Sequence, residues 1–301
     1  MRIQPYLDYA RVVILNHLRE LIRHRRGVIT TKRTEHLHQL RVTARRLRND
    51  LSVFRKLFPK KKSKIWKAIL RNVTRSAGIG RDLDVRILFL ERLAHRTKNA
   101  PLKSGLWKLR DYFQAQRLKR QPAIVKVLND AQLSKVLIEL EEFLKKGLVR
   151  GVPSGENVVS QIAEAKIRKR LKKLLKFRRY VGKPECTQEL HQMRIAAKHL
   201  RYTLETFEGF YGRLSKKYIN SVLKVQGDLG DIHDFYVWRI FLEEIKLSKG
   251  RDADFQKAVL FFRKRCAALE HLAYKKFVRS WENRERRGLW KQLREFIKMK
   301  K

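Results

Sequence analysis

Two eleven-residue segments hold the side chains best placed to do chemistry. His38-Gln39-Leu40-Arg41-Val42-Thr43-Ala44-Arg45-Arg46-Leu47-Arg48 and His191-Gln192-Met193-Arg194-Ile195-Ala196-Ala197-Lys198-His199-Leu200-Arg201 are identical at six of eleven positions, 153 residues apart. On a helix turning about 100° per residue, His38, Arg41, Arg45 and Arg48 fall at about 0°, −60°, −20° and −80°. His191, Arg194, Lys198 and Arg201 repeat that arc. Ala44, Leu47, Leu51, Phe54 and Phe58 gather on the opposite side, as do Ala197, Leu200, Leu204, Phe207 and Tyr211, so each helix pairs one apolar stripe with one cationic row. Like charges at this spacing destabilise a helix by a few tenths of a kcal/mol per pair. Neither row is interrupted by an acid of its own segment, so the expected relief is an anion from outside the chain. Phosphate suits it, because guanidinium forks grip its oxygens bidentately and ammonium groups act as point charges. The flanking cations should hold His38 and His191 neutral until an anion arrives and favours the charged rings. Metal binding is not expected, since no carboxylate or second histidine follows either His at i+3 or i+4.

Shorter basic rows accompany these. Arg19, Arg23 and Arg26 share the spacing of Lys169, Lys173 and Lys176. Lys64, Lys67, Arg71 and Arg75 form another row, with Lys217 and Lys224 on its counterpart. These are secondary candidates for anion contact, the alternative being an ordinary solvated face. Tyr202 falls at about 20°, beside the second row, and is the aromatic candidate for a ligand contact. Asp82, Asp84, Asp231 and Asp234 are expected near helix starts, where carboxylates cap and offset the dipole, with a further role in orienting the basic side chains. No nucleophile elbow, phosphate-binding glycine loop or His-Glu-x-x-His zinc motif occurs, so no catalytic residue and no cofactor is assigned.

The whole chain carries the same signature. Its 301 residues include 73 Lys and Arg against 29 Asp and Glu, a net charge of +44. Self-repulsion on that scale calls for an external counter-charge, from nucleic acid, an anionic membrane surface or a phosphate polymer. An apolar content of 43% argues against disorder. The longest apolar runs, Val12 to Leu15 and Ala258 to Phe262, are too short to span a bilayer. Met1 to Tyr6 lacks the apolar core of a signal peptide. Cys186 and Cys266 have no partnering pattern and read as thiols of a reducing compartment, which points to the cytoplasm.

Helical periodicity covers residues 6–26, 35–57, 64–76, 81–95, 154–180, 185–207, 214–226, 231–247 and 252–280, with no period-two strand, so the chain is expected to be all-α. The six prolines are expected between these segments. Three glycines and a proline between Gly147 and Gly155 mark a linker. The expected division is a helical repeat over 1–146, the linker over 147–155 and a second repeat over 156–301. A second matched pair, Gly80 with Gly230 and Asp84 with Asp234, offset by 150 residues, completes the case for an internal duplication.

The run from Glu35 to Arg48, the run from Leu190 to Tyr202, and the pair Gly80-Arg81-Asp82-Leu83-Asp84-Val85 and Leu229-Gly230-Asp231-Ile232-His233-Asp234 resemble the motifs of the conserved histidine α-helical domain, or CHAD. The order agrees over essentially the whole chain. Two departures stand out: His199 replaces the arginine found at Arg46, and the second glycine motif lacks the arginine found at Arg81. The resemblance implies two pseudo-symmetric four-helix bundles around a central basic groove or pore. It implies binding of inorganic polyphosphate, and association with polyphosphate granules in some members. Many relatives carry a triphosphatase domain ahead of this module, and the 29 residues from Met1 to Ile29 are expected to leave no room for one. Non-catalytic polyphosphate binding is the resulting expectation, with RNA or DNA binding as the rival and a phosphohydrolase third.

Overall fold

A computed structural model describes residues 5–31, 33–146, 157–246 and 252–298. Every regular element among them is helical, as the periodicity requires. The chain divides into two compact units, Met1–Glu156 and Asn157–Lys301. The linker expected over 147–155 lies outside the described residues.

In the first unit the helices are α1 (Pro5–Thr30), α2 (Thr34–Val53), α3 (Lys60–Arg96), α4 (Ala100–Leu128) and α5 (Ala131–Lys146). There α1 packs on α2, α2 on α3 and α3 on α4, and α5 lies against α1 and α3. The second unit holds α6 (Val158–Leu175), α7 (Thr187–Thr206), α8 (Glu208–Tyr211), α9 (Ser215–Lys246), α10 (Ala253–Arg286) and α11 (Leu289–Phe296). There α6 packs on α7, α7 on α9 and α9 on α10, with α8 and α11 as additions.

The apolar stripes form the cores. Ala44, Leu47, Leu51 and Phe54 are 0% exposed, as are Ala197, Leu200, Leu204 and Phe207. Burying a Leu or Phe side chain stabilises by about 1.5–3 kcal/mol, which amply outweighs like-charge repulsion on the opposite face. Phe58 and Trp66 meet Phe143 of α5 at ring separations of 5.5 and 5.9 Å. Trp281 and Trp290 pack at 5.1 Å, tying α11 to α10.

Several boundaries differ from the sequence expectation. The breaks placed at 76–81 and 226–231 do not exist, since α3 and α9 run through them. One of the glycines at those positions serves close approach instead. A Cβ on Gly80 would lie 2.8 Å from Ile124 and 2.9 Å from Leu37, so the third and fourth helices approach only because it is absent. Asp82, Asp84, Asp231 and Asp234 are therefore mid-helix residues rather than caps. Side-chain caps are instead supplied by Asn99, Asp130 and Asp252, which accept from the amides of Leu102, Gln132 and Phe255. Pro122 lies inside α4 rather than between helices. The carbonyl it leaves without its usual donor belongs to Leu118, a residue 62% exposed. Helices α4 and α5 occupy a stretch to which the sequence reading assigned no helix.

Candidate anion-binding site

The two cationic rows do not face open solvent. His38, Arg41, Arg45 and Arg48 are half-buried because α2 lays this face along α3. Arg41 approaches Asp82 at 3.4 Å, and its Nε lies 3.5 Å from where a Cβ on Gly78 would stand. Arg81 acts electrostatically on His38, and Arg71 on Arg48. As numbers rise along α2 they fall along α3, so the two helices run antiparallel and basic side chains enter the same seam from both.

The second unit builds the same seam from α7 and α9. Arg194 approaches Asp234 at 3.8 Å, and its Nε lies 3.5 Å from the Cβ position of Gly230. Gly78 and Asp82 are thus the partners of Gly230 and Asp234, an offset of 152 residues. The motif match of Gly80 to Gly230 and Asp84 to Asp234 was two residues out of register, because two nearby glycines and two nearby aspartates permitted either alignment. Asp84 has a different task. It is buried, and Arg117 of α4 donates to it from Nε at 2.8 Å. In the corrected register Arg81 corresponds to His233, which explains the missing arginine.

The electrostatics follow from this packing. Burial pushes the His38 pKa down, and Arg81, Arg41 and Arg45 push it further against the opposing pull of Glu35. His191 shifts down through burial, Arg194 and Lys198. His233 falls to about 4, through burial first and then His191, Arg194 and Lys198. The Nδ1 atoms of His191 and His233 stand 3.2 Å apart, so one ring must donate while the other accepts. The two rings also line a cavity of about 830 Å³ between α7, α9 and α10. Burial lowers the Arg48 pKa too, assisted by Arg71 and Arg45.

Guanidinium nitrogens without hydrogen-bond acceptors mark the rows. Arg41 Nε, Arg48 Nε and Arg194 Nε are buried with no hydrogen-bond partner in the protein, as are Arg201 Nε, 3.6 Å from Glu205, and His38 Nδ1, which donates or accepts according to its tautomer. An unmet buried donor costs about 1–3 kcal/mol, so an oxygen-rich anion reaching these atoms would recover that energy.

Three expectations about the rows need correction. Acids do touch them, because Asp82, Asp234 and Glu205 reach Arg41, Arg194 and Arg201. A wheel of α2 alone cannot show carboxylates carried by α3. With Asp82 62% exposed and Asp234 46% exposed, these are solvated pairs worth about 0–1 kcal/mol, and the rows stay positive. Tyr202 is no ligand platform: it is 4% exposed, with Arg201 stacked 4.7 Å over its ring. The secondary candidates divide. Arg71 joins the α2 row electrostatically, while Lys64 and Arg75 are exposed and Lys67 half-buried on the same helix. Arg19, Arg23 and Arg26 on α1, and Lys169, Lys173 and Lys176 at α6, are exposed. Lys217 and Lys224 line a different concavity, with Arg284 and Arg287. Sequence reasoning did not select Arg81 or His233 as site residues, although both lie in the second motif pair.

Among the described residues no group of three or more His, Cys, Asp or Glu is arranged to hold a metal ion, and no helix is long and apolar enough to cross a membrane. No curated protein matches the chain. The solved structures that share its fold include these two. One is the CHAD domain from the plant Ricinus communis, at 22% identity and a TM-score of 0.71, covering 91% of each chain. The other is PptA from Streptomyces chartreusis, at 15% identity and a TM-score of 0.69, covering 92% of this chain and 99% of that one. The CHAD domain family matches residues 12–243, which include both cationic rows and both glycine-centred seams. This chain belongs to the CHAD domain family.

Proposed function

We propose that this protein binds inorganic polyphosphate, without catalysis, along the α2–α3 and α7–α9 seams. The observation that carries the reading is the set of buried guanidinium Nε atoms without a hydrogen-bond partner, on rows that remain positive after their own acids are counted. His38, Arg41, Arg45 and Arg48 supply the contacts in the first unit, with Arg81 beside them. His191, Arg194, Lys198 and Arg201 supply them in the second, with His233. A linear phosphate chain offers repeated oxygens of one kind, which matches a row of repeated donors of one kind. The burial of Tyr202 favours this ligand over single-stranded nucleic acid, whose bases require exposed aromatic platforms. Retention at cytoplasmic polyphosphate granules belongs to the same reading.

The test is a titration with polyphosphates of graded length at 50 and 200 mM salt, with RNA and DNA as competitors. Six to ten phosphate contacts lose about 10³–10⁵ in affinity over that salt range. Affinity should rise with chain length, fall steeply with salt and survive equimolar nucleotide phosphate. Displacement by RNA or DNA at that ratio would remove the specificity, and release of phosphate in the presence of Mg²⁺ would overturn the non-catalytic assignment.

A further inference from the structure

Helices α9 and α10 and the start of α11 enclose a cavity of about 620 Å³ that contributes nothing to the two seams. Lys217 and Lys224 line it from one side and Arg284 and Arg287 from the other, with Ser221 and Gln292 between them. No carboxylate lines it. The nearest compensation is Asp228, which is 3% exposed and sits behind the wall. That carboxylate is already engaged, with Lys224 at 3.7 Å, Lys276 at 3.5 Å and the Ser280 hydroxyl donating at 3.1 Å. Arg284 is half-buried and donates to the Ser280 carbonyl at 2.6 Å rather than to an acid. Burial lowers its pKa against the opposing pull of Asp228, as expected of a cation only partly compensated. Lys217 reaches the Gln292 side chain at 3.0 Å, which holds its ammonium at the rim.

We propose that this cavity is a second phosphate site, taking a compact cluster of two or three linked phosphates, either free or as the end of a longer chain. Its size falls within the ~300–1,000 Å³ usual for small-ligand sites. Four cations, from α9, α10 and the residue that follows α10, converge on one volume, whereas a seam row spreads its cations along a line. A neutral lining amide such as that of Gln292 can donate to a phosphate's oxygens, which accept. The site does not depend on the seam reading.

The experiment is calorimetric titration of the full chain with tripolyphosphate, and with long-chain polyphosphate either uncapped or blocked at both ends. The variant is Lys217→Gln with Arg287→Gln, two exposed positions whose replacement leaves the core intact. Tripolyphosphate should bind the variant about tenfold more weakly, after discounting charge-assisted contacts for solvent. If the cavity also takes chain ends, uncapped polyphosphate loses affinity while blocked polyphosphate does not. If it takes only free oligophosphate, both long forms are unaffected and the tripolyphosphate loss remains. Tripolyphosphate binding that is equal in both proteins, or that disappears instead with Arg41→Gln and Arg194→Gln, overturns the proposal. Failure of the wild type to bind long chains while tripolyphosphate binds would count against the seams and leave the cavity standing.

Discussion

Replacing Arg41 and Arg194 together by glutamine separates binding from folding more sharply than any other change. On the folding side the loss is small. Each arginine contributes one solvated ion pair, at 3.4 Å to Asp82 and 3.8 Å to Asp234, worth about 0–1 kcal/mol. Removing a buried, unpartnered Nε returns a comparable amount. Stability should therefore stay within ~1 kcal/mol, a melting shift of about 2–4 °C or less. On the binding side, two charge-assisted contacts at about 1.5–3 kcal/mol each sum to ~3–6 kcal/mol, or roughly 10²–10⁴-fold in affinity. If each lost contact removes about 0.7 from the logarithmic salt slope, as for single strands, the slope flattens by ~1.4. Fluorescence anisotropy with end-labelled polyphosphate across a salt series, alongside a thermal melt, measures all three quantities. Leu47→Ala with Leu200→Ala is the contrasting control: both side chains are 0% exposed, and each truncation should cost about 2–5 kcal/mol of stability. The reasoning is refuted if the arginine variant melts normally and binds within about threefold of wild type, or keeps the full salt slope.

Four further outcomes are expected. Because His191 and His233 are held neutral in the free protein, a bound phosphate chain should draw protons onto them, so affinity should rise as pH falls from about 7.5 to about 5.5. His233→Arg, which installs the cation that Arg81 provides in the first unit, should flatten that dependence, whereas a pH-independent wild type would contradict it. Stability should move the other way: with the folded pKa of His233 near 4 against 6.5 unfolded, the unfolded chain binds more protons in that window, and a melt series should show stability declining as pH drops through it. Among the glycines, Gly227→Ala should raise the melting temperature, since nothing lies within 4 Å of the new methyl and the helix gains up to ~1 kcal/mol. Gly27→Ala should lower it, because the methyl would fall 2.4 Å from the His36 ring, at an overpacking cost of about 1–3 kcal/mol.

Much of this protein is written locally. The apolar stripes of α2 and α7 are periodic with the helix, so the burial of Leu47, Leu51, Leu200 and Leu204 followed from spacing alone, as did the shared arc of His38, Arg41, Arg45 and Arg48. The excess of cations is a matter of composition, and no packing could hide it. Helix continuity was harder to see. Gly78, Gly80, Gly227 and Gly230 are turn formers by propensity, yet α3 and α9 run through all four, and a close neighbour accounts for the glycine only at Gly80. Tertiary structure decided what lies across each row. Asp82 facing Arg41, Arg81 near His38 and His233 against His191 are separated by about 40 residues and meet because two helices pack antiparallel. A helical wheel carries no information about the partner helix. The register of contact, and with it the charge state of the histidines and the list of unmet donors, therefore exists only once the chain has folded.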